Sequence, residues 1–161
     1  MSDKVLIPRS VGNDDFQTPP ELAVRIVVAL EPDGVVLEPC RGDGNFWRAL
    51  PPGSRWCEIK EGRDFMDFDV RVDWVITNPP FSKLRKFLCK AMSVSENVAF
   101  LTSVNHFWLK ARIRDMGLAG FGFREILLCE TPATFPQSGF QIGVVHIRKG
   151  YSGPVVIRKL P

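Results

Sequence analysis

The stretch Val35-Val36-Leu37-Glu38-Pro39-Cys40-Arg41-Gly42-Asp43-Gly44 decides how this chain is read. A short apolar run that stops at an acidic residue and a proline, then turns through two glycines, predicts a buried strand feeding a tight turn and a short helix that ends near Leu50. Such a turn brings backbone close to a ligand and aims the unpaired N–H groups of a helix N-terminus at it. Taken alone, Gly42-x-Gly44 is equally an ordinary strand-to-helix connection. Glu58 adds weight, because it ends a second expected strand over residues 55–59. A carboxylate there can accept both hydroxyls of a ribose, although the position also suits a plain surface glutamate.

Outward from this stretch, strands and helices alternate. Upstream, Thr18-Pro19-Pro20-Glu21 predicts a helix start with Thr18 as N-cap, proline in the first turn and Glu21 completing a capping box, after which Leu22, Ile26 and Leu30 share a face. Downstream, Val72-Asp73-Trp74-Val75-Ile76-Thr77 is a third apolar run. Ser82 then stands where it can cap a helix carrying Leu84, Phe87, Leu88 and Ala91 on one side and basic residues on the other. A buried strand over 98–102, a helix over 109–116, a glycine-rich turn over 117–122 and two strands at 126–129 and 142–147 complete the pattern. The last two have no helix between them. An α/β fold follows, with a mostly parallel sheet, helices on both faces and an antiparallel edge strand.

Asn78-Pro79-Pro80-Phe81 is the sharper chemical signal. Consecutive prolines after a buried strand fix the backbone and donate no N–H, so the Pro79 carbonyl and the Asn78 side-chain oxygen can accept hydrogen bonds from an outside group. Phe81 supplies a ring that can stack on a planar base.

The 161 residues, 45% hydrophobic, suit one domain with a real core, and residues 1–14, without periodicity, read as an arm. No basic-then-apolar leader and no apolar run of roughly 20 residues is present, so the expectation is a cytoplasmic protein without membrane partners. Cys40, Cys57, Cys89 and Cys129 are far apart, with only His106 and His146 as imidazole partners, which predicts free thiols and no metal site. A net charge of +3 says little by itself, yet Lys83, Arg85, Lys86 and Lys90 cluster, as do Lys110, Arg112 and Arg114. Each cluster suits either nucleic acid or a solvated helix face.

Glu38-Pro39-x-x-Gly42-x-Gly44, with Asn78-Pro79-Pro80-Phe81 ending a later strand, resembles the class I methyltransferases that act on amino groups, notably the DNA N6-adenine methyltransferases. Asp15-Phe16-Gln17-Thr18-Pro19-Pro20 is similar to that family's segment before the first strand, and Gly62-Arg63-Asp64-Phe65 to its adenine-binding stretch. The resemblance covers residues 15–81 and beyond Phe81 is one of pattern only. It implies a Rossmann-like fold that binds S-adenosylmethionine. Phe16, Gln17, Thr18, Pro19, Glu38, Pro39, Cys40, Gly42, Asp43 and Gly44 would then hold the methionine part, Glu58 the ribose and Ile59 one face of the adenine. Asp64 and Phe65 would take its edge, and Asn78 would border the cofactor as well. Arg41 departs from the small residue more usual in that loop. Asn78, Pro79, Pro80 and Phe81 would be catalytic, with Asn78 and the Pro79 carbonyl holding the target amine and Phe81 stacking on a flipped base. A cytosine-C5 mechanism would need a cysteine after this strand, whereas Pro39-Cys40 lies in the cofactor loop. The expected substrate is adenine N6 in DNA, duplex or single-stranded, read with low sequence specificity because no stretch is left for a separate target-recognition domain. Lys83, Arg85 and Lys86 would contact phosphates. RNA adenine or guanine amines, or a non-catalytic binding module, are the rival readings, and an oligomer stays open.

Overall fold

The computed structural model describes residues 16–161; the arm over 1–14 and the Asp15 position lie outside them. A seven-stranded sheet runs in the order β2-β1-β3-β4-β6-β5-β7. Its strands are β1 (Val36–Glu38), β2 (Arg55–Trp56), β3 (Trp74–Thr77), β4 (Asn97–Ser103), β5 (Phe121–Leu128), β6 (Ile142–Lys149) and β7 (Val156–Lys159). β2, β1, β3 and β4 are mutually parallel, β6 runs antiparallel to β4 and β5, and β7 is parallel to β5. The mostly parallel sheet is the one the apolar runs imply. Its antiparallel strand lies on the side beyond β4, with β5 and β7 outside it.

Four helices cover the two faces: α1 (Pro20–Leu30), α2 (Asn45–Ala49), α3 (Leu84–Val94) and α4 (Lys110–Ala119). On one face Leu22, Ala23, Ile26 and Leu30 of α1 and Phe46 of α2 pack on Val36, Ile76, Ala99, Leu101 and Val144. On the other, Leu84, Leu88 and Ala91 of α3 and Met116 of α4 pack on Leu37, Val75, Val98, Phe100 and Val145. Neighbours along a strand go to opposite clusters, as the two-residue period of a strand buried on both faces requires.

Several boundaries differ from the sequence reading. Thr18 does not cap α1: Pro19 is the N-cap residue, Pro20 opens the helix and no side chain caps it. Thr18 is instead buried, and its carbonyl accepts from Asn45 Nδ2, which ties this entry segment to α2. Ser82 falls inside a 3₁₀ turn, Phe81–Lys83, so Lys83 takes the N-cap position of α3 with no side-chain cap. β2 stops at Trp56, because Glu58 turns the chain by accepting from Lys60 N and N-capping the 3₁₀ turn Ile59–Glu61. α4 runs through Gly117 to Ala119, Gly120 in left-handed backbone ends it, and Gly122 already lies in β5. β7 was not foreseen at all.

Phe100 lies in the middle of β4, fully buried and edge-on to Phe107 at 6.4 Å between ring centroids. Phe100→Ala should lower the unfolding free energy by about 3–5 kcal/mol through lost burial and the cavity left behind. Urea denaturation with an unchanged m-value checks this.

Candidate active site

A cleft of about 400 Å³ opens at the carboxyl ends of β1, β2 and β3, where ligands bind in open α/β sheets. Its volume falls within the roughly 300–1,000 Å³ of small-molecule sites. The sequence reading and the cleft wall share Phe16, Gln17, Thr18, Glu38, Pro39, Cys40, Gly42, Glu58, Ile59, Asp64, Phe65, Asn78 and Pro80, and Lys83 and Lys86 stand on the same wall.

Glu38 ends β1 with only 1% of its surface exposed. Its Oε1 accepts from the Cys40 backbone N–H at 3.0 Å and from the Thr77 hydroxyl in a short bond. Burial pushes its carboxyl up to about 8; the bonds from Thr77 and Cys40 offset part of that, and the neighbouring Glu58 adds to it. The Cys40 thiol lies 2.8 Å from Thr77 Oγ1 and donates to the Asn78 carbonyl at 3.3 Å, and burial pushes it up also. A continuous chain of contacts therefore runs from Glu38 through Thr77 and Cys40 to the backbone of Asn78. Beside it, Glu58 accepts from Gly42 N at 2.8 Å and from Lys60 N at 3.0 Å, which holds the glycine loop against the end of β2. Gly42 has φ +54°, a left-handed backbone that strains any L side chain, and a Cβ there would also meet Gln17 Oε1 at 2.5 Å and displace that side chain. Asp64 accepts from Met66 N at 2.9 Å and caps the turn that buries Phe65.

Asn78 follows β3 and donates from Nδ2 to the Phe16 carbonyl. A carbonyl accepts only a donor, so this contact assigns the amide nitrogen to Phe16 and leaves Oδ1 as the acceptor on the other side. Phe16 stands 6.1 Å from both Phe81 and Phe135, and Phe81 meets His106 edge-on at 5.8 Å. His106 Nδ1 lies 3.3 Å from Thr102 Oγ1, and burial followed by the charge of Arg112 lowers its pKa, which keeps the ring neutral.

Pro19, Asp43, Gly44, Pro79, Phe81 and Arg85 are not on the cleft wall. Pro19 and Gly44 are N-cap positions of α1 and α2, and Asp43 meets the cleft only through its backbone N–H, which donates to Gln17 Oε1 at 3.0 Å. Arg85 points elsewhere, paired with Asp115 through Nε at 2.7 Å and the second nitrogen at 3.1 Å. Arg41, Asn45, Phe46, Lys60, Met66 and Phe87 line the cleft without having been singled out for it. Phe87 carried a signal, three positions after Leu84 on the apolar face of α3; Arg41 and Lys60 carried none beyond adjacency to the glycine loop and Glu58.

All four cysteines are free thiols. Among the described residues no group of three His, Cys, Asp or Glu side chains could hold a metal, and no helix is long and apolar enough to cross a membrane. His146 lies in the sheet with Nε2 3.0 Å from Asn97 Oδ1, and burial lowers it to about 4.

No protein-family model matches the sequence, and no curated protein does. Solved structures do. The chain superposes with a TM-score of 0.62 at 20% identity on a candidate RNA methyltransferase from Pyrococcus horikoshii, over 84% of this chain and 87% of that one. It matches the modification subunit of a candidate type I restriction enzyme from Vibrio vulnificus at TM-score 0.58 and 15% identity, over 92% of this chain and 48% of that one, just under half its length. Magnesium protoporphyrin IX methyltransferase from Synechocystis, solved with S-adenosylmethionine, matches at TM-score 0.59 and 12% identity, over 81% of this chain and 77% of that one. The fold is therefore the Rossmann-like fold of class I methyltransferases.

Glu38 gives this site a pH signature. Its pKa is about 8 when folded against 4.5 in an exposed chain, so between those values the folded state holds a proton that the unfolded state has released. Stability should fall as pH rises through that window, by an amount on the order of a few kcal/mol. Chemical denaturation from pH 5 to pH 8 should show the decline, and Glu38→Gln should flatten it.

Proposed function

We propose that this chain is an S-adenosylmethionine-dependent methyltransferase that transfers a methyl group to the N6 amine of adenine in DNA, with low sequence specificity. The observation that carries the reading is the fixed Asn78 amide on the cleft wall, with Nδ2 held by the Phe16 carbonyl and Oδ1 left as an acceptor.

The cleft residues fit the cofactor by their donor set. Glu58 joins the glycine loop to the 3₁₀ turn after β2, where a ribose diol would exchange for its present backbone donors, and Asp64 with Phe65 would close the adenine end beside Ile59. Glu38 and the Cys40–Gly42 loop would meet the methionine ammonium and carboxylate, a cation facing a buried carboxyl that has no cationic side-chain partner among the described residues. When bound, the cofactor supplies an electrophilic methyl group on a positively charged sulfur.

An amine conjugated to a purine is a poor nucleophile. Hydrogen bonds from it to Asn78 Oδ1 and the Pro79 carbonyl favour a pyramidal nitrogen and stabilise the positive charge that grows on it. No ionisable base is needed before transfer. Phe81, braced by Phe16 and His106, offers its ring to a base taken out of the stack. Lys83 and Lys86 at the cleft supply sequence-independent attraction to phosphates. A second reading, methylation of an adenine or guanine amine in RNA, draws support from the match to the Pyrococcus protein over nearly its full length.

Transfer of labelled methyl groups to duplex DNA, single-stranded DNA, RNA and protein, with nucleoside analysis, tests the reading; product on RNA or protein alone sinks the DNA assignment. Asn78→Ala should keep the fold and most of the cofactor affinity while raising the barrier by about 2–4 kcal/mol. Asp64→Ala should weaken S-adenosylmethionine binding in calorimetry.

A further inference from the structure

α4 and the turn before it carry an unusual surface. Trp108, Leu109 and Ile113 are 48%, 49% and 43% exposed. Lys110 and Arg114 stand among them: Lys110, Ile113 and Arg114 are three and four positions apart and share a helix face. From 104 to 119 the single acid is Asp115, and it is already paired with Arg85. Arg112 adds a third cation, and its Nε is buried with no acceptor among the described residues.

The Trp108 indole is braced from below. It packs on Phe123 at 5.0 Å, Phe123 on Phe107 at 6.3 Å, and Phe107 on Phe100 at 6.4 Å, so a row of rings runs from the core out to the surface. An exposed ring held in this way stacks on a planar ligand with little further loss of rotamer freedom.

β3 and β4 are parallel, so the turns after both emerge on the same edge of the sheet. The turn after β3 carries Asn78 and Phe81, the turn after β4 carries His106, and the edge-on contact of Phe81 with His106 joins them. Trp108 comes two residues after His106. The Trp108 indole itself leans away from that end, onto Phe123 on the α3 and α4 face, which is level with Val98 near the start of β4.

We propose that Trp108, with Lys110 and Arg114, is a binding platform for single-stranded DNA, on which an unpaired base stacks on the indole while the two cations hold the phosphates of its strand. Cations alone would serve any polyanion, and a duplex hides its base faces. An exposed, braced aromatic ring among cations and away from acids matches unstacked bases on a phosphate chain. The proposal rests on the nucleic-acid reading above and adds which form of substrate the protein prefers and a surface outside the cleft that holds it.

The test is anisotropy of a short labelled single-stranded DNA with the full chain, beside calorimetry with S-adenosylmethionine and methyl transfer to the same strand. Trp108→Ala should raise Kd by roughly 5- to 100-fold and Trp108→Phe should restore most of the loss. Lys110→Ala should reduce the slope of log Kd against log salt by about 0.7. Trp47→Ala, a half-exposed indole on α2, should change neither. Cofactor binding should be unaltered throughout. If Trp108→Ala unfolds the chain, the exposed pair Lys110→Glu with Arg114→Glu carries the test, with the same expected loss of binding. Wild-type affinity in these variants, duplex bound as tightly as single strand, or a preference for RNA of the same sequence overturns the platform. A wild-type protein that binds cofactor but neither binds nor methylates any nucleic acid overturns the functional reading itself.

Discussion

The buried carboxyl of Glu38 is the constraint from which the site follows. It sits at the end of β1 among a threonine hydroxyl, a backbone N–H and a thiol, with no cationic side chain bonded to it among the described residues. A carboxyl so placed must be hydrogen-bonded or protonated. Thr77 at the end of β3 answers the first need, and through Cys40 the same network reaches the backbone of Asn78. One polar group thus sets the loop after β1 against the loop after β3, the two segments that a donor and an acceptor substrate would have to approach together. Glu58 repeats the device on the outer side, with its two oxygens joining the glycine loop to the turn after β2.

The sheet makes this arrangement possible by burying both faces. β1 and β3 are short and wholly apolar until their last residues, so polar side chains appear only where the strands stop. Their positions are fixed by the ladders they share with β2 and β4 and by the packing of α1 and α2 on one face and α3 and α4 on the other. A cavity in either cluster would be felt at the site as a shift of strand ends, since close-packed interiors transmit displacement.

The parts of this plan that were legible in the sequence were those with continuous apolar runs or a glycine turn. Val36-Leu37, Val75-Ile76 and the Leu84, Leu88, Ala91 stripe announced themselves, and so did the turn at Gly42; Asn78 stood out by the prolines after it, and Asp64 only through the family resemblance. What was illegible depended on side-chain direction or long-range contact. Lys83 and Lys86, three apart, reach the cleft together, whereas Arg85 projects roughly 100° per residue around α3 and finds Asp115 thirty residues on. Thr18 has the chemistry of an N-cap, yet the extended backbone at Pro19 and the pull of Asn45 draw it into the interior. β7 is short and mostly exposed, held by its register on β5 and by Arg158, which reaches Glu125 and the Ala29 carbonyl; nothing in Val156-Ile157-Arg158-Lys159 alone declares a strand.

Trp56 ends β2 beside the glycine loop, with the guanidinium of Arg41 4.1 Å from its ring centre and that of Arg63 3.8 Å away. Arg41 belongs to the glycine loop and is paired with Glu61, while Arg63 precedes the Asp64 cap, so both jaws of the cleft converge on one indole. Charges that close shift the energy of the indole excited state. A movement of the glycine loop against the Asp64 turn would therefore change the charge around this indole, one of four in the chain, and so its share of the protein's emission, without a label and without a reaction.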